Sequence, residues 1–89
     1  MNNPLVYSSI KWTRDGNTRQ TAGANHVNLA IRFFPTHENP YVLHVSHAFI
    51  PVWKFAPHFT FSTEQEARDF GLAVVNHFVL NPQDVAALK

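Results

Sequence analysis

Hydrophobic and polar positions alternate along most of the first sixty residues and then change period. In His26–Phe34, Val27, Leu29, Ile31 and Phe33 fall on one side, with His26, Asn28, Ala30 and Arg32 on the other. That two-residue period predicts a strand with one buried face. Tyr41–Ile50 repeats it, with Tyr41, Leu43, Val45, His47 and Phe49 opposite Val42, His44, Ser46, Ala48 and Ile50. Leu5–Thr13 carries a weaker version, with Val6, Ile10 and Trp12 on its apolar side. Phe59–Phe61 is read as a short last strand.

The breaks are as legible as the strands. Arg14–Asn25 is polar, holds Gly16 and Gly23, and reads as a flexible hairpin loop opened by Asp15-Gly16. Pro35 and Pro40 stop one strand before the next begins, because proline donates no ladder hydrogen bond. Pro51 and Pro57 bound Val52–Phe55 and predict a bend, bulge or edge there.

At Ser62 the period becomes helical. Thr63-x-x-Glu66 has the form of a capping box, and Glu64 and Glu66 suit the positive end of a helix dipole. Ala67, Phe70, Gly71, Val74, Val75 and Phe78 then share one face of a helix over Glu64–Leu80. Gly71 on that face lets the helix approach the sheet closely. Asn81-Pro82 ends this helix and predicts a short second one over Pro82–Leu88. The fold class is therefore α+β: a small two-layer domain spanning residues 1–89. An antiparallel meander of three or four strands has one amphipathic helix on one face and a short C-terminal helix. The other face is expected to show Tyr7, Ser9, Lys11, His26, Asn28, Arg32, His44 and Ser46.

Composition narrows the chemistry. With 89 residues the chain has room for one core, and 45% hydrophobic residues suffice to build it. The absence of cysteine excludes disulfides, thiolate metal ligands and a thiol nucleophile. No basic and apolar leader opens the chain and no apolar run could span a bilayer, so a cytoplasmic protein without membrane attachment is expected. Charged residues are only 15%, which favours a surface partly covered by a partner or a second copy.

Three of the six histidines, His44, His47 and His58, cluster in sequence. Alternation sends His44 and His47 to opposite faces, so no metal site and no cofactor are expected. Ser8, Ser9 and Ser46 lack a nucleophile elbow, and no acid–base pair is evident; an enzyme is not expected.

Two binding functions come first, ahead of a histidine-based metal-binding protein or enzyme as the third reading. The favoured one is a non-enzymatic interaction module that binds a protein partner, as a homodimer, through Trp53, Lys54, Phe55, His44 and Ser46. Trp53 and Phe55 serve either as interface anchors or as lids on the core. The size and style suit phage or mobile-element inhibitors and small accessory subunits. The second is nucleic-acid binding through Lys11, Arg14, Arg19 and Arg32. Residues 1–34 carry these four cations against Asp15, a charge of +3; residues 35–89 carry −2.

Overall fold

A computed structural model describes residues 6–81. Five strands and one helix follow in order: β1 (Thr13–Asp15), β2 (Arg19–Ala24), β3 (Val27–Phe33), β4 (Tyr41–His47), β5 (His58–Phe61) and α1 (Glu64–Leu80). The strands form one sheet in the order β1-β2-β3-β4-β5, each antiparallel to its neighbour. The helix packs across β3, β4 and β5 on one face, so the fold is a small α+β domain of two layers. The expected short C-terminal helix, Pro82–Leu88, lies outside the described residues.

The fifth strand is a departure from expectation. Arg14–Asn25 is not a flexible loop; half of it is β2, paired with both neighbours, and Arg14 and Asp15 belong to β1. Its helix-facing positions are Gln20, Ala22 and Ala24, so no large hydrophobic residue announces the strand. Gln20 is nevertheless 3% exposed, its amide bonded to Glu64 and Arg68. Asp15-Gly16 does turn the chain, with Gly16 at φ 75°. The β2–β3 connection is tighter still. Ala24 pairs with Val27, leaving Asn25 and His26 as the whole loop, both at positive φ (51° and 64°). That is the backbone sign a type I′ hairpin turn requires at both central positions.

The described part of Leu5–Thr13 is not a sheet strand either; only Thr13 enters β1. Its backbone runs along the helix. Asn76 holds it there with a two-way amide pair: Tyr7 N–H donates to Asn76 Oδ1 (2.7 Å) and Asn76 Nδ2 donates to the Tyr7 carbonyl (2.9 Å). Ile10 and Trp12 still pack on the core, which is what their alternation demanded.

The core is Val27, Leu29, Ile31, Leu43, Val45, Phe55, Ala67, Val74, Val75 and Phe78, with Phe59, Phe61 and Phe70 at its edge. Thr63 caps the helix as expected: its Oγ1 accepts from the Glu66 N–H at 3.1 Å. At Gly71 the helix lies close to its neighbours, since a Cβ there would lie 3.1 Å from Leu29 Cδ1 and 3.3 Å from the Trp12 ring.

Candidate functional site

Two surfaces gather the residues with chemistry to offer. The first is the connection between β4 and β5. After His47 the chain turns sharply: the Ile50 N–H donates to the His47 carbonyl, and the Phe49 N–H donates to His47 Nδ1 (3.1 Å). This turn interrupts the strand alternation, leaving Phe49 74% exposed while Ile50 packs on the core. A second turn follows, in which the Lys54 and Phe55 N–H groups both donate to the Pro51 carbonyl (2.9 and 3.0 Å).

The consequence is a split between the two aromatic candidates. Phe55 is 2% exposed and packs edge-on against Phe78, with ring centres 5.6 Å apart. It is a core residue and is not available as a surface anchor. Trp53 is 83% exposed and Val52 70% exposed, and Lys54 is also at the surface. Phe49 packs on His26 with the rings tilted (4.7 Å between centres); His26 is held at positive φ in the β2–β3 turn. Sequence reasoning placed Phe49 in the core because it counted on through a turn that carries no glycine or proline at its centre.

The second surface is the sheet face away from the helix. Register places its side chains in rows across the strands. One row runs Asp15, Arg19, Arg32, Val42, Thr60, and the next Thr13, Thr21, Ala30, His44, His58. Gly23, Asn28 and Ser46 continue the face. The small residues Gly23 and Ala30 leave a trough of about 630 Å³, with Lys11, Arg19 and His44 among its lining residues. Thr13, Thr21, Asn28 and Ser46 supply hydroxyl and amide groups, and none of the described acidic residues lines it. Of the residues expected here, Lys11, Asn28, His44 and Ser46 line the trough and Arg32 lies in the row beside it; Tyr7 runs along the helix instead.

His44 and His47 do fall on opposite faces. His44 sits beside His58 (5.9 Å between ring centres), whereas His47 packs on Phe78 (5.0 Å). Burial, followed by the neighbouring His58 and Arg32, holds the His44 pKa below its ordinary value. Burial and then His26 do the same for His47. Among the described residues no three histidine, aspartate or glutamate side chains come together as a metal site.

The four sequence-expected cations divide. Lys11, Arg19 and Arg32 belong to the outer face, Arg19 with an ion pair to Asp15 at 3.3 Å. Arg14 points the other way and pairs with Glu64 at 2.8 Å. Together with Gln20 and Arg68 it forms a polar clamp between the β1–β2 hairpin and the start of the helix. In that clamp the Gln20 hydrogen bond first, then the Arg14 contact, hold the Glu64 carboxyl below its usual pKa against the opposing effect of burial. No protein-family model, curated protein or solved structure matches this chain.

Proposed function

We propose that the protein is a non-enzymatic interaction module that acts by binding a protein partner through the β4–β5 connection, with Trp53 as the anchor. The observation that carries this reading is the exposure of Phe49, Val52 and Trp53 within five residues of one connection, at 74%, 70% and 83%. Hiding such a surface from water is worth about 25 cal/mol per Å² of apolar area, and tryptophan is the side chain most enriched at interface hot spots. Phe55 supports the ridge from beneath, since its burial ties the connection to the helix through Phe78. Lys54 lies beside Trp53 and gives the ridge a single positive charge with which to select an acidic or carbonyl-rich partner surface.

A homodimer is the finer part of the proposal. β5 ends the sheet, and its sequence His-Phe-Thr-Phe carries no lysine, proline or acid of the kind that blunts an edge. A second copy adding strand to strand would pair these edges.

Capture from lysate of the native host with wild-type protein and with Trp53→Ala tests the main reading. A partner retained by the wild type and lost with Trp53→Ala is expected; identical captures would end the assignment of Trp53. Light scattering after size exclusion tests the dimer, and a monomer across a wide concentration range would remove it.

A further inference from the structure

The outer sheet face arranges its charges in a way that costs stability. Arg19 and Arg32 stand directly opposite one another on β2 and β3. Like charges in directly opposed cross-strand positions repel. Asp15, opposite Arg19 on the other side, is the one acid in these rows. Its pair with Arg19 is exposed and 3.3 Å long, the kind worth about 0–1 kcal/mol. A local arrangement that opposes folding marks a place where something other than folding sets the residues.

Three further features define what fits. Beside its apolar and glycine positions the trough is lined by Lys11, Arg19, His44, three hydroxyls and the Asn28 amide, with none of the described acids, so its ligand is anionic. Lys11 and Arg19 both line it but sit at opposite ends: Arg19 opens β2, and Lys11 precedes Thr13, the partner of Thr21. Lys11 toward one end and the Arg19–Arg32 pair toward the other spread the positive charge along the trough, which suits a chain of phosphates. Finally, His44 is the one aromatic ring among the described lining residues, so bases find little to stack on and the contacts are chiefly to the backbone.

We propose that this trough binds single-stranded nucleic acid through its phosphate backbone, with Lys11, Arg19 and Arg32 neutralising phosphates and Thr13, Thr21, Asn28 and Ser46 hydrogen-bonding to them. The surface is independent of Trp53, so this site stands or falls apart from the protein-binding ridge.

Fluorescence anisotropy of a labelled twelve-residue oligothymidylate, titrated with the full chain over a range of salt, tests it. Three neutralised phosphates give a slope of log K against log salt of about −2, from ~0.7 per phosphate on a single strand. Arg19→Gln/Arg32→Gln is expected to weaken binding at least about tenfold and to reduce that slope by about 1.4. Circular dichroism should stay at wild-type values and melting should not fall, because both arginines are exposed and their removal relieves the cross-strand repulsion. Arg14→Gln and Trp53→Ala are expected to bind as the wild type does. Asp15→Asn, which frees Arg19, is expected to bind more tightly, an outcome a merely structural role would not produce. The proposal is overturned by no binding at about 25 mM salt, where backbone contacts are strongest. It is equally overturned by equal losses in Arg14→Gln and the double variant, or by oligoglutamate or inorganic triphosphate competing as well as unlabelled oligothymidylate.

Discussion

Gln20 Nε2 donates to Glu64 Oε1 at 2.8 Å, joining the middle of the β1–β2 hairpin to the first turn of the helix. The same side chain accepts from Arg68 Nε at 2.9 Å through its carbonyl oxygen. Both halves of one amide are thus used in a nearly water-free position, 3% exposed, between a carboxylate and a guanidinium. Arg68 also lies over the Trp12 ring, 5.8 Å from its centre, so the clamp continues into the segment that precedes β1. Gln20→Ala removes the bond to Glu64 and both bonds from Arg68 and is expected to lower stability by about 1–3 kcal/mol, measured by urea denaturation.

Glu64 gives that clamp a pH dependence. Its folded pKa lies below the ordinary 4.5, so the folded state holds the proton less tightly than the unfolded chain does. The stability it contributes is present above the unfolded pKa and is lost as pH falls through the lowered folded value. Glu64→Gln should flatten the stability profile below about pH 4.5 relative to the wild type in chemical denaturation.

Histidine sets a second window. His44 and His47 both titrate below 6.5 in the folded protein, so at pH values under 6.5 the unfolded chain binds protons that the folded one resists. Stability from these groups is present above pH 6.5 and declines as pH falls through the folded values. A His44→Asn/His47→Phe variant is expected to lose the slope that sets in below pH 6.5 while keeping the Glu64 effect at lower pH. A slope unchanged in that variant would assign it to other groups.

Phe55 and Trp53 are two residues apart and should behave as opposites. Phe55→Ala leaves a cavity against Phe78 and is expected to cost about 3–5 kcal/mol in denaturant unfolding. Trp53→Ala removes a side chain that is 83% exposed and should change stability by no more than about 0.5 kcal/mol.

At Gly71 the distances decide which substitution is tolerated. A methyl group meets Leu29 Cδ1 at 3.1 Å and the Trp12 ring at 3.3 Å, tight contacts that a shift of a few tenths of an ångström relieves. Helix propensity returns about 1 kcal/mol on replacing glycine, so Gly71→Ala should be near neutral in thermal melting. Gly71→Val adds branched bulk to the same contact and is expected to cost about 1–3 kcal/mol.

Local pattern alone determined much of this protein. The helix Glu64–Leu80, its Thr63 cap, β3, most of β4, the opposite placement of His44 and His47, and the close approach at Gly71 all follow from period and capping. These features depend on neighbours within a few residues, where side-chain direction is set by backbone geometry. Tertiary structure decided the rest. β2 is a strand because Glu64 and Arg68, more than forty residues away, satisfy a buried Gln20 that reads as a loop residue. The segment before β1 lies along the helix because Asn76 pairs with the Tyr7 backbone across 69 positions. Phe55 is core and Trp53 surface because two turns aim neighbouring aromatics in different directions, and Arg14 leaves the cationic face because Glu64 is within reach. Each of these outcomes turns on a partner distant in sequence, whose position exists only once the sheet and helix have packed.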